Sequence, residues 1–372
     1  MTLTGLILGG GIGKRLWPLT TSKPLFPFLG QPLIAHVAAD LKEAGVDRLV
    51  IVTNPDNHNQ IKSLLPQAEI VVQDKPLGMA DGILTAQALL TGPTLIVNSG
   101  DYLGPDGLKA LVDHISTNQS QVLLTALETA EFLPGGYFKL DQDKLVGIIE
   151  KPTLGEKPSN LFRIIADYFA DPKSLFTALD KFKSHSEDGY EQALNQVITD
   201  QPVDLYHFPG KFYQLKYPWQ VLDLMHYFLT AKLKPQIDST ATVHPTAVVD
   251  DNVVLSSGVK ILPHATVKGP SFIGPDTIIG NNALVRESMI SGRCVIGYNT
   301  EVARSFIGDK CWFHANYIGD SVLETEVTFG AGALTANFRL DQGSIGSQIN
   351  GQKLDTGKTK LGAIIGPSDR LG

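Results

Sequence analysis

A repeat of six residues dominates the C-terminal third of the chain. An aliphatic residue stands at every sixth position, namely at Ile237, Val243, Val249, Leu255, Ile261, Val267, Ile273, Ile279 and Val285. The residues four positions later are mostly small, as at Ala241, Ala247 and Ala265. The register shifts near residues 290 and 307 and then resumes. Neither an α-helix nor an alternating strand has this period, so the pattern predicts a parallel β-helix with the aliphatic residues in its core.

The preceding residues show a different pattern, in which strands and helices alternate. Short apolar runs at residues 6–8, 49–52 and 95–97 are typical of buried parallel strands. Helical spacing of apolar residues lies at 32–44 and 78–90. This alternation predicts an α/β domain with a parallel sheet. Lys234-Pro235 interrupts a last helical stretch, so we predict domains at residues 1–235 and 236–372.

Composition excludes several classes of protein. The net charge of −7 argues against a nucleic-acid binder. No apolar run approaches the length of a membrane span, and the start of the chain lacks the basic region of a signal peptide. Cys294 and Cys311 are the only cysteines, which suggests reduced thiols and a cytoplasmic protein. Because the net charge is negative, a polyanionic ligand would need a local cluster of basic residues.

A glycine-rich loop follows the first predicted strand, in Leu8-Gly-Gly-Gly-Ile-Gly-Lys-Arg15. It is not the dinucleotide-binding motif, because Leu16 stands where a third glycine is needed. It is not a Walker A loop, because Arg15 follows Gly13-Lys14 in place of Ser or Thr. Glycines let phosphates approach backbone amides, and Lys14 and Arg15 supply positive charge. The alternative is a tight strand-to-helix turn without a ligand.

Further polar motifs follow other predicted strands, where parallel sheets bind their ligands. Their residues are Gln73, Gly78, Asp101, Glu150 and Lys151, and Lys23 lies separately, nine residues beyond Lys14. Asp101 closes the sequence Asn-Ser-Gly-Asp directly after the third strand. A carboxylate at that place could hold Mg²⁺ against phosphate oxygens.

In this order the motifs resemble those of the sugar-1-phosphate nucleotidyltransferase family. The family pattern is a glycine-rich loop with Arg-Leu-x-Pro-Leu-Thr, then Lys-Pro, Gly-Asp and Glu-Lys-Pro, and the resemblance covers residues 1–235. It implies a Rossmann-like nucleotidyltransferase domain followed by a left-handed parallel β-helix. It also implies nucleotidyl transfer from UTP or dTTP to a hexose or N-acetylhexosamine 1-phosphate, with release of pyrophosphate and with Mg²⁺ as cofactor.

The resemblance assigns roles to particular residues. Nucleotide-binding positions are Leu8, Gly10, Gly11, Gly13, Lys14, Gln73 and Gly78. Catalytic positions are Arg15, Lys23, Asp101 and Lys151, with Mg²⁺ on Asp101. Glu150 and Lys151 are the positions that bind the sugar.

Two departures from the family pattern leave the sugar and the level of activity open. Gln214 stands where a second metal-binding aspartate is expected, and Lys216 stands where a glycine is expected. The stretch 162–169 lacks the Asn and Gly usual on the sugar-binding strand. A neutral amide binds a hard cation less well than a carboxylate does. A catalytically weakened binding or regulatory homologue is therefore an alternative.

The β-helix carries a second candidate site, around residues 313–337 and 356–362. These segments resemble the acetyltransferase half of the bifunctional GlcNAc-1-phosphate uridylyltransferases. The resemblance makes His314 the general base and makes Tyr317, Asn337 and Lys358 ligands of the sugar phosphate. The alternative is that these residues are only structural or solvated. Since the family's acetyl-CoA pocket uses further coils and this sequence ends at Gly372, we expect nucleotidyl transfer to be the main activity.

Self-association is also expected, as a homotrimer or another homo-oligomer. A β-helix presents flat faces, and the resembling family packs three of them around an axis. Phe306, Trp312 and Phe313 crowd the later coils, where we expect an apolar patch on the surface.

Overall fold

The computed structural model describes residues 2–153, 155–182 and 188–372. The chain forms two compact units. The first unit comprises Met1–Ile12, Ser22–Phe26 and Pro32–Gln214, and the second comprises Gly13–Thr21, Pro27–Gln31 and Leu215–Gly372. Within the described residues, no helix is both long enough and apolar enough to cross a membrane.

Strands and helices alternate through residue 227. The strands are β1 (Thr4–Leu8), β2 (Pro27–Phe28), β3 (Gln31–Pro32), β4 (Arg48–Thr53), β5 (Glu69–Val72), β6 (Thr94–Asn98), β7 (Asp101–Tyr102), β8 (Val122–Glu128), β9 (Gly136–Asp141), β10 (Lys144–Glu150), β11 (Leu161–Phe169), β12 (Asp204–His207) and β13 (Tyr213–Gln214). The α-helices are α1 (Leu33–Glu43), α2 (His58–Leu64), α3 (Met79–Ala86), α4 (Gly104–Thr117), α5 (Lys173–Lys181), α6 (Gly189–Asp200) and α7 (Gln220–Tyr227). Single turns of 3₁₀-helix lie at Lys14–Leu16, Lys23–Leu25 and Gln87–Leu89, and a π-helical turn at Phe228–Lys232 follows α7.

The first unit is built on a mixed sheet. Its path runs β10-β9-β11-β6-β1-β4-β5, with β8 on β11 and β12 on β8. The predicted parallel part is confirmed, because β1 pairs in parallel with both β4 and β6, and β4 pairs in parallel with β5. Every residue of β1 is buried, as expected for a strand covered on both faces. Beyond β6 the sheet continues with antiparallel strands, which the alternating pattern did not predict.

The second unit contains the predicted β-helix, whose strands form three sheets of stacked parallel strands. Face 1 consists of Gln236–Ile237, Val253–Leu255, Ser271–Ile273, Met289–Ile290, Phe306–Ile307, Val322–Leu323 and Ile364–Ile365. Face 2 consists of Thr242–Val243, Lys260–Ile261, Ile278–Ile279, Val295–Ile296, Trp312–Phe313, Thr328–Phe329 and Arg370–Leu371. Face 3 consists of Val248–Val249, Thr266–Lys268, Leu284–Arg286, Glu301–Ala303 and Tyr317–Gly319. A two-stranded hairpin, Gly346–Ile349 with Gln352–Asp355, lies in the stretch that precedes the last coil.

The six-residue repeat supplies the core of this β-helix. Its aliphatic residues stack coil upon coil, for example Leu255 on Ile273 and Ile273 on Ile290. From Val249 onward they join or pack against one buried cluster of apolar side chains. The prediction of a core position is wrong for Ile237 and Val243 in the first coil, which are 57% and 39% exposed. The repeat also needs glycine where coils touch, since a Cβ atom on Gly274 would lie 2.6 Å from the carbonyl carbon of Ser291. The left-handed sense of the coils remains a prediction from the resemblance.

Aromatic side chains cover the outer surface of face 1 within the second unit. Phe28 stacks on Phe228 at 4.9 Å between ring centroids and meets the edge of Phe306 at 6.3 Å. This packing groups residues 27–31 and 215–235 with the coils, whereas the predicted boundary at 235 and 236 marks only where the coils begin.

The prediction of an exposed aromatic patch is wrong for two of its three residues. Phe306 is only 2% exposed because Phe28 covers it, and Phe313 is fully buried because it occupies an inward position of the repeat. Trp312, at the outward position of the same strand, is 60% exposed.

Candidate functional site

The glycine-rich loop leaves the first unit's sheet where three parallel strands end. β1 lies between β4 and β6, with Leu8 opposite both Val52 and Asn98. The amide of Gly9 donates to the carbonyl of Val52 at 2.8 Å, and the amide of Ser99 donates to that of Leu8 at 3.1 Å. The loops after the three strands therefore start at the same edge, which is where parallel sheets bind ligands.

Two glycines of this loop differ in their surroundings. A Cβ atom on Gly10 would lie 2.7 Å from Gln73 Oε1 and 3.3 Å from the carbonyl oxygen of Thr53, so a side chain does not fit there. A Cβ atom on Gly11 would meet nothing within 4 Å, and this residue is exposed. The loop is therefore tightly packed on one side and open at Gly11, where a ligand can reach the backbone.

Two buried asparagines hold the loop, and the sequence analysis missed them. Asn54 Nδ2 donates to the carbonyl of Gly10 at 3.1 Å, and Asn57 Nδ2 donates to the carbonyl of Gly9 at 2.9 Å. Each asparagine also accepts the other's backbone amide through its Oδ1 at 3.0 Å. Their position directly after β4 was the available signal, since the other candidate residues also follow strand ends. The pair fixes the orientation of the glycine backbone.

Gln73 and Gly78, the predicted base-reading pair, are in direct contact. Gln73 Nε2 donates to the carbonyl of Gly78 at 2.9 Å and to Asp81 Oδ2 at 2.7 Å. Gly78 has φ +100° at the start of α3, a left-handed conformation that favours glycine. The structure thus brings Gly10, Gln73 and Gly78 together and adds Asp81, which sequence reasoning did not select.

Asp101 and Gln214 face each other on paired strands. β7 and β13 are antiparallel, and Gln214 lies directly opposite Asp101. Side chains of directly opposed residues lie on the same face of a sheet, with Cβ atoms about 5 Å apart. Asp101 is buried and Gln214 is half-buried. Gln214 therefore lies beside Asp101, where a second carboxylate would have been expected.

This pair offers one carboxylate and one amide oxygen to a cation. Among residues 2–153, 155–182 and 188–372, no group of three or more His, Cys, Asp or Glu side chains could hold a metal ion. Mg²⁺ is commonly bound by one or two carboxylates, with water and substrate phosphates as the remaining ligands. The donor set of Asp101 and Gln214 fits such a substrate-bound Mg²⁺ ion and does not form a closed metal site.

The predicted cations near the loop lie on two short helices. Lys23 begins the turn Lys23–Leu25 in the first unit and is half-buried. Lys14 and Arg15 follow Gly13, which has φ +62°, and begin the turn Lys14–Leu16. That turn packs with the second unit.

The predicted sugar-binding residues end β10. Glu150 is paired with Gly136 on β9, and a Cβ atom on Gly136 would lie 2.9 Å from Glu150 Oε2. Lys151 has φ +48°, a strained conformation for a residue with a side chain, and its amide donates to the carbonyl of Gly135 at 3.1 Å. Its Nζ atom is 3.8 Å from Glu150 Oε1. The structure therefore keeps the two residues adjacent.

A buried charge cluster next to Glu150 was also missed. Arg163 Nη2 lies 2.5 Å from Asp167 Oδ2, and its Nη1 lies 3.3 Å from Glu191 Oε1. Tyr190 Oη donates to Asp167 Oδ2 at 2.7 Å. Three atoms of this cluster are buried without a hydrogen-bond partner in the described part of the chain, and they are Arg163 Nε, Asp167 Oδ1 and Glu191 Oε2. The available signal was a pair of charges within the otherwise apolar strand β11.

Burial and ion pairing act in opposite directions on the pKa values of this cluster. It raises the pKa of Asp167 and of Glu191, and Arg163 only partly opposes this effect. Glu150 raises the pKa of Glu191 further. For Arg163 itself, burial lowers the pKa, but the neighbouring carboxylates outweigh burial, so that the guanidinium stays charged. Burial therefore disfavours the charged form of both acids, whereas the arginine favours it.

In the β-helix, the structure connects some residues of the second candidate site. Asn337 Nδ2 donates to Tyr317 Oη at 3.1 Å and to Asp320 Oδ2 at 2.5 Å. Asp320 also binds Arg304 through both carboxylate oxygens at 2.7 Å. His314 is exposed at a corner.

Lys358, the fourth residue of that prediction, has a different partner. Its Nζ atom lies 2.5 Å from Asp223 Oδ1 on α7, and only 19% of its side chain is exposed. Tyr317 and Asn337 are therefore in contact, whereas Lys358 is ion-paired elsewhere in the second unit.

Comparison with known proteins identifies the family. The family model described as nucleotidyl transferase matches residues 4–214, more than half of the chain. The chain belongs to the nucleotidyl transferase family. The predicted family membership is thereby confirmed. Residues 234–338 match the GMPPB C-terminal domain.

Relatives of this nucleotidyl transferase span the whole chain. A bifunctional sugar-1-phosphate nucleotidylyltransferase/acetyltransferase of Sulfurisphaera tokodaii is 29% identical and covers 100% of this chain and 91% of its own length. A bifunctional protein GlmU of Methanococcus maripaludis is 28% identical and covers 100% of this chain and 89% of its own length. A crystal structure of UDP-glucose pyrophosphorylase complexed with UDP-glucose matches 61% of this chain and 98% of its own, with a TM-score of 0.54 and 21% identity. At that identity the likeness concerns the fold alone.

The buried acids predict how the stability of this nucleotidyl transferase depends on pH. Because burial raises the pKa of Glu191 in the folded state, folding is favoured at low pH, and that contribution is lost as the pH rises through the raised value. Glu191→Gln removes this titration. We expect the melting temperature of Glu191→Gln, relative to the wild type, to increase as the pH rises above the ordinary pKa of a glutamate, about 4.3.

Glu43→Gln, at an exposed position of α1, is the matched control and should follow the wild-type profile. Parallel melting profiles for the wild type and Glu191→Gln would show that Glu191 does not titrate in this range.

Proposed function

We propose that this chain transfers a nucleotidyl group from UTP or dTTP to a hexose or N-acetylhexosamine 1-phosphate and releases pyrophosphate. The observation that carries the proposal is the convergence of the open glycine loop with Gln73 and Gly78 at the edge where β1, β4 and β6 end. The name of the S. tokodaii relative, a bifunctional sugar-1-phosphate nucleotidylyltransferase/acetyltransferase, supports the same activity.

The nucleotide is proposed to bind along this edge. The backbone from Leu8 through Gly10 and Gly11 to Gly13 approaches the phosphates, and Asn54 and Asn57 hold the orientation of its carbonyl groups. Gln73 and Gly78 face the pyrimidine base. Because Gln73 Nε2 is bonded to Gly78 and Asp81, its amide orientation is fixed before any base binds.

The chemistry is the attack of a sugar-phosphate oxygen on the α-phosphorus of the nucleotide. The nucleophile is already an anion, so alignment and charge neutralisation are the main tasks of the protein. Lys23 and Arg15 neutralise the triphosphate, Lys151 neutralises the sugar phosphate, and Glu150 accepts hydrogen bonds from sugar hydroxyls. Asp101 and Gln214 would hold Mg²⁺, which supplies positive charge to the phosphate oxygens when it is bound.

The loss of a phosphate contact tests this assignment. We expect Lys23→Ala and Arg15→Ala each to lower kcat/KM by about 100-fold or more, because each removes a charge-assisted contact that strengthens as charge develops. Lys62→Ala, at an exposed position on α2, is the control and should keep wild-type kinetics. Pyrophosphate release measures the rate, and wild-type kcat/KM in both variants would contradict the proposed site.

Gln214 makes a second, separate prediction about the metal. Because Gln214 lies opposite Asp101, an aspartate at this position would add a second carboxylate beside the first. Gln214→Asp should therefore lower the Mg²⁺ concentration that gives half the maximal rate, whereas Asp101→Ala should abolish turnover. An unchanged metal titration in Gln214→Asp would show that the side chain does not contribute to the site.

Acetyl transfer on the β-helix is a second candidate function. The contact of Asn337 with Tyr317 and Asp320, together with the acetyltransferase named in the S. tokodaii relative, favours it. His314 is the proposed base and Lys358 a proposed phosphate ligand, although Lys358 would first have to leave Asp223. Release of free thiol from acetyl-CoA in the presence of glucosamine 1-phosphate would support this function, and absence of release at saturating substrate would contradict it.

Self-association through the β-helix is proposed as well, with a homotrimer as the expected state. Support comes from the 60% exposure of Trp312 in the middle of face 2. Light scattering at micromolar concentration should give a mass above that of one chain, and a monomer would contradict the proposal.

A further inference from the structure

One buried carboxylate of the β-helix binds the segment Gly13–Thr21, which packs with the second unit. Glu324 directly follows the strand Val322–Leu323 and is 4% exposed. Its Oε2 atom accepts hydrogen bonds from the Thr20 amide at 2.8 Å and the Thr20 hydroxyl at 3.3 Å. Its Oε1 atom accepts a hydrogen bond from the Thr21 amide at 2.6 Å. Both carboxylate oxygens therefore bind the end of this segment.

The next coil of the β-helix contacts the same segment. Leu323 stacks on Ile365, and the amide of Glu324 donates to the carbonyl of Ile365 at 3.0 Å. A Cβ atom on Gly366 would lie 2.8 Å from the carbonyl oxygen of Pro18. Glycine at position 366 thus lets the segment lie directly against the coil.

Short-range hydrogen bonds connect this anchor to the cationic part of the segment. The amide of Leu16 donates to the carbonyl of Gly13 at 2.8 Å, and the amide of Leu19 donates to the carbonyl of Leu16 at 2.9 Å. Leu16 and Leu19 are buried, at 1% and 6% exposure. The backbone from Gly13 to Thr21 is therefore fixed at several points, and Lys14 and Arg15 lie within it.

We propose that Glu324 is a positioning residue for nucleotidyl transfer. It fixes the backbone that carries Lys14 and Arg15, so the β-helix takes part in placing the cations that bind the triphosphate. A carboxylate suits this task because both of its oxygens accept hydrogen bonds, one from each backbone amide. The consequence for catalysis rests on the proposed function, whereas the anchoring does not.

The proposal explains why glutamate, and not glutamine, stands at this position. A glutamine has one acceptor oxygen, and its amino group would face one of the two backbone N–H donors of Thr20 and Thr21. Glu324→Gln therefore keeps the size of the side chain and disrupts the anchor. Glu326→Gln is the matched control, because Glu326 lies two residues away and forms an exposed ion pair with Lys310 at 2.9 Å.

Two measurements on the full-length protein test the proposal. Amide hydrogen exchange of a peptide covering residues 13–22 should become faster in Glu324→Gln, by about tenfold or more, and stay unchanged in Glu326→Gln. The kcat/KM for the nucleotide should fall by about 10- to 100-fold, while KM for the sugar 1-phosphate stays unchanged. A general structural defect would instead change the kinetic constants for both substrates and lower the melting temperature.

A Glu324→Gln protein with wild-type exchange and wild-type nucleotide kinetics would overturn the proposal, as would an equal loss in Glu326→Gln. If Glu324→Gln does not fold, Gly366→Ala tests the same anchor, since its methyl group displaces Pro18 while Glu324 remains. Gly366→Ala should show the same selective fall in kcat/KM for the nucleotide. Wild-type kinetics and wild-type exchange in this variant would overturn the proposal. A wild-type protein without turnover contradicts the proposed function, and the exchange measurement still decides whether Glu324 fixes the segment.

Discussion

The parallel pairing of β1 with both β4 and β6 is the constraint on which the candidate site depends. In this register the three strands end at the same level, with Leu8 opposite Val52 and Asn98. The loops that follow carry the glycines, the asparagine pair and Asp101, and they begin at one edge only because of that register. A shift of one strand by one residue would turn its side chains to the other face of the sheet.

The asparagine pair shows how the protein uses this edge. Polar groups of a buried loop need partners, and a carbonyl left without one destabilises the fold by about 1–3 kcal/mol. Asn54 and Asn57 satisfy the carbonyls of Gly10 and Gly9 and at the same time fix the turn. The cluster around Arg163 is different, because three of its buried atoms lack hydrogen-bond partners in the described residues. Glu150, a proposed sugar ligand, lies next to this cluster. These buried polar atoms therefore neighbour the part of the unit where the sugar is proposed to bind.

Features that depend on short-range spacing could be predicted from the sequence. The β-helix followed from the six-residue repeat, because each coil contacts only its neighbours and the inward position recurs at a fixed interval. The glycine loop and Asp101 were predicted to lie at strand ends, and the structure places them at the carboxyl edge of the sheet and on β7. The antiparallel strands beyond β6 were not predicted, because an alternation of strands and helices indicates only parallel neighbours.

Features that depend on contacts distant in the sequence could not be predicted. Thr20 and Glu324 are 304 residues apart, and no local pattern relates them. The burial of Phe306 depends on Phe28, which belongs to a different segment of the chain. The position of Asn54 and Asn57 after β4 marked them as candidates, but their role could not be predicted because their partners lie in the loop after β1.

In the proposed function, the loop after β1 binds a nucleoside triphosphate for transfer to a sugar 1-phosphate. Phosphorus NMR of the protein with Mg²⁺, UTP or dTTP, and a panel of hexose and N-acetylhexosamine 1-phosphates tests it most directly. We expect the signals of a nucleoside diphosphate sugar and of pyrophosphate to grow in equal amounts for at least one pair and to be absent for Asp101→Ala. Unchanged substrate signals for every pair at saturating Mg²⁺ would contradict it.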